Sequence, residues 1–279
     1  MMHFRLIGLL VAAICLLSLD TFAQNRSKYN GKYVAPFGVM SVTGGVGVAY
    51  YMGDLNKKVD MKNLGLGLAV SVGGMYRLTE KLSARGEIRF YQVSGGPDPI
   101  TNLSFRTRNP ELNLGIQADL FDFNEHKMIN PYLYGGLGLT YLNPQAQQNG
   151  TWHKLPQYQT EGIKYSRVPL VITGGIGVSI QTWDRLKIGV ELNNTYSMSD
   201  YLDDVSGVFP ELDKLPNLQA QQLSDRTWEV PGLTTQQPGW HRGTTKINDM
   251  YLFLQVRATY LIGNRMQAKE RKKTRCPKF

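Results

Sequence analysis

The sequence predicts an all-β protein: an eight-stranded antiparallel transmembrane β-barrel of the outer-membrane type with long extracellular loops. The first observation is a set of long segments in which apolar and polar residues alternate, because a period of two indicates a strand with one apolar and one polar face. The second is that the connections between these segments are alternately short and long. The third is an N-terminal export signal, which predicts a location outside the cytoplasm.

The first 23 residues have the features of a secretory signal peptide. Arg5 precedes an apolar run over residues 6–19, and small residues precede a cleavage site expected after Ala23. The run is shorter than the roughly 20 residues that a membrane-spanning helix needs. Cleavage as a lipoprotein at Cys15 is disfavoured, because Ile14 stands where a small side chain is required.

The first four strands are predicted in the first half of the mature chain. Residues 40–51 and 65–77 are rich in glycine, and small residues such as Thr43 occupy their expected inner faces. Glycine weakens a strand unless curvature or close packing requires it, and a small barrel has both. Residues 82–93 and 111–121 alternate strictly, with no charge along the apolar face. All four segments are long enough to cross a hydrocarbon layer at a tilt.

The second half repeats this order. Residues 131–142 and 169–181 are again glycine-rich, whereas 186–196 and 250–262 alternate strictly. The total of eight is even, as single-chain bacterial barrels require. An even count also leaves both termini on one side, which the short connections identify as the periplasm.

The connections and the aromatic residues support a membrane location. The short connections are 78–81, 122–130 and 183–185, and the long ones are 52–64, 94–109, 143–168 and 197–248. Aromatic residues near the strand ends are expected to form interfacial girdles. They are Tyr50, Tyr51, Tyr76, Phe90, Phe121, Phe123, Tyr132, Tyr134, Tyr141, Tyr196 and Tyr260. A soluble lipocalin-like barrel is disfavoured, because it would place the apolar face inside and need an amphipathic partner helix or a ligand, and the sequence has no convincing helical period.

Charged residues on the polar faces are predicted to form ion pairs inside the barrel. They are Arg85, Arg89, Lys187 and Arg257 with Glu87, Glu111, Asp119 and Glu191. Unpaired charge in a narrow lumen is costly, and eight strands leave room for little besides side chains. The equal numbers therefore predict a neutral plug rather than a pore.

No motif predicts catalysis, a cofactor or a metal. The histidines at His126, His153 and His241 fall in turns or loops without an evident serine or aspartate partner. Asp200, Asp203 and Asp204 have oxygen ligands suited to a hard cation, but solvated turn residues account for them equally well.

The net charge of +9 lies at the two ends of the chain. The body, residues 40–263, has 20 basic and 20 acidic residues, whereas 24–39 and 264–279 have an excess of basic ones. This distribution argues against nucleic-acid binding by the barrel. The basic side chains of the tail that we expect to contact a partner are Arg265, Lys269, Arg271, Lys272, Lys273 and Arg275. Their expected partners are an acidic protein surface or anionic headgroups, and simple solvation of the tail is the alternative.

Several loop motifs resemble one known family. They include Tyr51-Met52-Gly53-Asp54, the run from Tyr201 to Ser206 that contains Asp203 and Asp204, and Arg242-Gly243 ahead of the last strand. In this order and spacing they are similar to those of the PorG-like outer-membrane barrels of the type IX secretion system, over nearly the whole mature chain. The resemblance implies a non-enzymatic barrel above a periplasmic ring, formed by a lipoprotein and its partner protein. It also implies a role in protein export and, in some bacteria, gliding.

Two other functions stay open. One is a structural or adhesive barrel whose long outer loops bind ligands. The other is a lipid-modifying enzyme, which would require a cluster of serine or aspartate with histidine at the outer rim.

Overall fold

The computed structural model describes residues 38–56, 65–122, 128–183, 185–245 and 248–264. The predicted signal peptide, most of the basic N-terminal segment and the basic tail beyond residue 264 lie outside these residues. The strands are β1 (Val39–Met52), β2 (Gly67–Arg77), β3 (Leu82–Gly95), β4 (Phe105–Asp119), β5 (Ile129–Thr140), β6 (Pro144–Gln148), β7 (Thr151–Lys154), β8 (Leu170–Trp183), β9 (Leu186–Ser197) and β10 (Met250–Asn264). One helix, α1 (Leu218–Ser224), and short 3₁₀ turns at Leu155–Gln157, Leu212–Lys214 and Thr227–Glu229 lie in the long connections.

Eight of the strands close into an antiparallel barrel, in the order β1, β2, β3, β4, β5, β8, β9, β10. The closure is at β1, where Val46 pairs with Val70 of β2 on one side and with Val256 of β10 on the other. The predicted fold class is therefore confirmed. The hairpin β6–β7 continues from the long-loop end of β4, where Arg106 pairs with Gln145.

Two predicted boundaries in this region are wrong. Strand β4 begins at Phe105 rather than at Glu111, and the hairpin β6–β7 lies inside the predicted loop 143–168. Both errors concern strand segments at or beyond the upper edge of the apolar belt, where the outward positions need not be apolar. Alternation of apolar and polar residues is lost there, and Pro110 and Pro144 further weaken the strand pattern.

The barrel is apolar outside and polar inside. Each of the eight barrel strands has an outward apolar side chain that is more than half exposed: Val46, Val72, Phe90, Leu114, Leu137, Ile176, Val190 and Val256. The inward neighbours include the fully buried Arg89, Glu111 and Glu191. This distribution is the reverse of that in a water-soluble barrel and requires hydrocarbon around the molecule. The chain is thus an outer-membrane β-barrel.

Among the described residues, no helix has the length and apolar character needed to cross a bilayer.

Three of the tyrosines expected in the interfacial girdles lie in the lumen instead. Tyr51, Tyr132 and Tyr134 are almost completely buried. Their ring hydroxyls find polar partners there: Tyr132 donates to Glu191 and Tyr134 to Asn113. A tyrosine serves both environments, because it combines an apolar ring with a polar group. Alternate residues of a strand point into the lumen and out towards the lipid, so the position of the tyrosine along the strand decides which environment it enters.

Strand glycines make room for these inward side chains, as expected. A Cβ at Gly177 would overlap the ring of Tyr132 on the neighbouring strand, and one at Gly73 would overlap the side chain of Glu87. Towards the long-loop end, the lumen is filled by an aromatic group. Tyr91 stacks on Tyr251 with ring centroids 4.7 Å apart, and its centroid lies 5.3 Å from that of Phe253.

Candidate functional site

Six charged side chains fill the middle of the lumen and form what we call the ionic layer: Arg85, Glu87, Arg89, Glu111, Glu191 and Arg257. Glu87 on β3 is its centre and accepts hydrogen bonds from all three arginines. Arg85 Nη2 and Arg257 Nη2 lie 2.9 and 2.7 Å from Glu87 Oε2. Arg89 Nε lies 2.5 Å from Glu87 Oε1.

The other two glutamates complete the charge balance. Arg85 makes a bidentate contact with Glu191, at 2.6 and 2.7 Å. Arg89 Nη1 lies 3.1 Å from Glu111 Oε1, and Tyr251 donates to the other oxygen of Glu111 at 2.6 Å. Three arginines and three glutamates sum to zero charge. Charge neutrality of this kind offsets part of the desolvation cost of a buried ionic cluster.

Asp119 and Lys187, also predicted in the lumen, lie nearer the short-turn end. Asp119 forms a 2.6 Å ion pair with Arg77, a residue absent from the predicted set. Asp119, Arg77 and Lys187 all line a cavity of about 40 Å³. That volume holds a few water molecules at roughly 10–15 Å³ each. At the ionic layer the side chains of Arg85, Glu87, Arg89, Glu111 and Glu191 are 0% exposed, so the described side chains fill that cross-section.

The family motifs, distant in sequence, meet at the long-loop end. We call this group the loop cluster; its members are Tyr51, Gly53, Asp54, Glu161, Asp200, Asp203, Asp204, Arg242, Gly243 and Asp249. It contains six carboxylates and one arginine. Glu161, from the β5–β8 connection, was not among the predicted motif residues, and Asp249, in the motif segment that leads into β10, was not singled out within it. Their only sequence signal is an isolated acidic residue, which has no distinctive spacing.

Arg242 and Glu161 hold the two halves of the long β9–β10 connection together. Arg242 Nη1 lies 2.9 Å from Glu161 Oε1 and 2.5 Å from the carbonyl oxygen of Asp204. Glu161 Oε1 also accepts from the backbone amide of Ser206 at 2.8 Å. Gly243 lies so close to Ser206 and Asp54 that a Cβ there would clash with both. This glycine therefore permits the close approach of the β1–β2 loop and the two ends of the β9–β10 connection.

Asp54 and Asp204 fix the neighbouring backbone. Asp54 Oδ2 accepts from the amide of Thr244 at 2.6 Å, which links the β1–β2 loop to the segment after Arg242. Asp204 adopts a left-handed backbone with φ of 67°, which aspartate tolerates better than most residues. Its carboxylate accepts from Tyr165 at 2.6 Å and from the hydroxyl of Thr160.

Two carboxyl groups share one tyrosine hydroxyl at the base of the loop cluster. Tyr51 Oη lies 2.5 Å from Asp203 Oδ2 and 3.0 Å from Asp249 Oδ1. One hydroxyl hydrogen satisfies one of these contacts, so the other requires a proton on a carboxyl group. Burial raises the pKa of Asp249 to about 8, and the pKa of Asp203 also lies well above its usual range because of burial and the nearby Asp249. Near neutral pH the two carboxyl groups therefore retain a proton, which allows both of them to lie within hydrogen-bond distance of Tyr51.

Burial shifts the other aspartates in the same direction. It raises the pKa of Asp200 to about 7 and that of Asp204 to about 6, although Arg242 opposes the shift at Asp204. The sequence left open whether Asp200, Asp203 and Asp204 bind a hard cation. Within the described ranges, no group of three or more acidic, histidine or cysteine side chains has metal-binding geometry. Hydrogen bonds to the loops occupy Asp203 and Asp204 instead.

The remaining predicted residues are spread out. His153 lies on β7, where its Nδ1 is 3.3 Å from the hydroxyl of Tyr158, and His241 forms an isolated bridge with Val208. His126 lies outside the described residues. So do the predicted partner-binding residues Arg265, Lys269, Arg271, Lys272, Lys273 and Arg275.

Sequence comparison identifies one family. The family model described as a domain of unknown function, DUF6089, matches residues 99–239, which run from the β3–β4 loop into the β9–β10 connection. Among curated proteins, none matches the sequence.

Several solved barrels are similar in structure. Neisserial surface protein A has 11% identity and a TM-score of 0.41, over 79% of this chain and 96% of its own. The attachment invasion locus protein of Yersinia pestis has 10% identity and a TM-score of 0.40, over 81% and 98%. OprG from Pseudomonas aeruginosa has 9% identity and a TM-score of 0.41, over 82% and 97%.

Proposed function

Because this chain belongs to the DUF6089 family and is an outer-membrane β-barrel, we propose that it is a non-enzymatic assembly component of a protein-secretion system. The observation that carries the proposal is the filled lumen. The ionic layer and the aromatic group above it occupy the barrel interior with side chains that are paired and buried. A barrel filled in this way acts through its surfaces rather than by conduction.

The specific system proposed is type IX secretion. The support is the resemblance of the loop motifs to PorG-like barrels, together with the contact between Asp54, Asp204, Arg242 and Gly243 in one loop cluster. The proposed partners are a periplasmic ring lipoprotein and its partner protein.

The proposed orientation has both termini in the periplasm and the long loops outside. In this orientation the basic tail, residues 264–279, contacts an acidic face of the ring, and the attraction weakens with salt. Long loops on the outer side and short turns on the inner side are the rule for bacterial barrels.

Gene deletion and pulldown test the proposal together. Loss of the gene is expected to abolish secretion of type IX cargo, and a mild-detergent pulldown is expected to recover the ring proteins. Removal of residues 265–279 should leave the barrel folded and reduce ring recovery more at low salt than at high salt, because salt already screens the attraction of the basic tail. Normal secretion in the deletion strain would refute the proposal. Unchanged recovery with the truncated chain would refute the role of the tail alone.

A second candidate is a ligand-binding barrel of the outer surface. Exposed tryptophans in the long connections favour it, since Trp152, Trp228 and Trp240 are 39%, 53% and 46% exposed. Aromatic side chains of this kind are common in binding surfaces. This alternative predicts normal secretion and ligand binding that is lost when these tryptophans are replaced by serine.

A further inference from the structure

Two outward arginines mark the upper edge of the apolar face of β4. Outward positions below them are Leu112, Leu114 and Pro110, and the two leucines are 49% and 63% exposed. The next outward positions towards the long-loop end are Arg108 and Arg106, because alternate residues of a strand share a face. Their side chains therefore lie where hydrocarbon gives way to lipid headgroups.

Both arginines are held in place without a carboxylate. Arg108 Nε donates to Gln92 Oε1 at 2.7 Å, and the guanidinium of Arg106 lies 3.5 Å from the ring centroid of Trp152. Among the described residues, neither arginine forms an ion pair with an acidic side chain. Two like charges on adjacent outward positions repel each other, and the repulsion is strongest where the surroundings are partly apolar.

An open groove of about 390 Å³ begins at Arg108 and runs down the outer face of the barrel. This size lies in the range of small-ligand pockets, roughly 300–1,000 Å³. The residues that line it include Leu68, Val70, Phe90, Gln92, Arg108 and Pro110. Its apolar side chains face the bilayer, and Leu68 and Phe90 are 64% and 55% exposed.

We propose that this surface binds a phosphorylated glycolipid of the outer leaflet. Its phosphate lies between Arg106 and Arg108, and one acyl chain lies in the groove. Guanidinium groups bind phosphate through two parallel hydrogen bonds, and arginines that are already oriented lose little freedom on binding. The anion also removes the repulsion between the two cations. Assignment to the outer leaflet rests on the proposed orientation, with the long loops outside.

Binding to purified protein tests this inference. The full chain is solubilised in a non-ionic detergent and titrated with bisphosphorylated lipid A, and bound lipid is counted by native mass spectrometry. Dephosphorylated lipid A and phosphatidylglycerol serve as comparison probes. The test variant R106Q/R108Q is compared with K81Q/R185Q, which removes the same charge at the short-turn end. A third variant, V70W, fills the groove without changing charge. The difference in gel migration between heated and unheated samples verifies that each variant is folded.

We expect R106Q/R108Q to weaken lipid A binding at least tenfold, V70W to weaken it several-fold, and K81Q/R185Q to leave it unchanged. Dephosphorylated lipid A should bind as weakly as lipid A binds to the double variant. Equal loss in both double variants, or no preference for the phosphorylated form, would overturn the site. Tighter binding of phosphatidylglycerol than of lipid A would overturn the outer-leaflet assignment. None of these outcomes depends on secretion, so failure here is distinct from failure of the proposed function.

Discussion

Replacement of Glu87 by glutamine is the sharpest test of the ionic layer. Glu87 contacts Arg85, Arg89 and Arg257, and its side chain is 0% exposed. E87Q preserves volume, so it leaves no cavity and changes only charge and hydrogen bonding. Three arginines would then face two glutamates in a dry lumen.

The magnitude follows from burial. Removal of one partner from a buried ion pair costs about 3–5 kcal/mol, because the remaining charge stays desolvated without compensation. Three contacts at 2.5–2.9 Å place Glu87 at the upper end of that range. A second substitution, R257Q, restores neutrality, and E87Q/R257Q should recover at least half of the lost stability. The exposed pair of Lys81 and Asp122, at 3.5 Å, supplies the control, since surface pairs contribute about 0–1 kcal/mol.

Urea unfolding of the barrel refolded in micelles measures these free energies, with tryptophan fluorescence and heat-modifiable migration as independent readouts. With a slope of about 2 kcal/mol per molar urea, E87Q should lower the midpoint by roughly 1.5–2.5 M. K81Q should leave it nearly unchanged. A loss below about 1 kcal/mol in E87Q, or further loss in E87Q/R257Q, would refute a dry and mutually neutralised lumen.

Three further predictions concern the loops and the packing of the lumen. The raised pKa of Asp249, about 8, means that the folded loop cluster retains a proton that the unfolded chain releases at lower pH, so its stability is lost as pH rises through 8. Limited proteolysis of the long loops should therefore accelerate as pH rises towards 8. D249N should reduce this pH dependence, with Asp200 and Asp203 supplying what remains, and an unchanged profile in D249N would contradict the assignment. R242Q leaves Glu161 buried without its cation, and we expect rapid cleavage of the β9–β10 connection with an intact barrel, as judged by gel migration. G177L places a side chain against the ring of Tyr132 and should cost about 1–3 kcal/mol in the same urea assay, whereas G174L, with open space at its Cβ, should cost less than half as much.

The strands were predictable because a lipid-facing surface imposes a strict pattern. Outward positions inside the hydrocarbon are apolar, so the alternation from Leu186 to Leu192 fixes both the strand and its two faces. Above the hydrocarbon the same constraint is absent. The early start of β4 and the hairpin β6–β7 were missed for that reason, since backbone pairing holds them and no periodic pattern marks them.

The loop cluster was only partly predictable. Asp54, Asp204 and Arg242 stood out as members of family motifs, but their meeting depends on how three long loops fold over the barrel. Glu161 had no signal of its own, because a single acidic residue in a polar loop is typical of solvated surface, and nothing distinguished Asp249 from its neighbours in the segment that leads into β10. Their importance comes from burial, which only the folded chain provides.

The sequence by itself determined the number of membrane strands and the direction of their faces, because both follow from local periodicity. The tertiary structure decided which charges pair, which tyrosines enter the lumen and which loop residues meet. Glu87 shares Arg257 with Glu191 across the barrel, and Tyr51 contacts Asp203 and Asp249 from distant parts of the chain. Such contacts depend on barrel closure and strand register, and these are properties of all eight strands together.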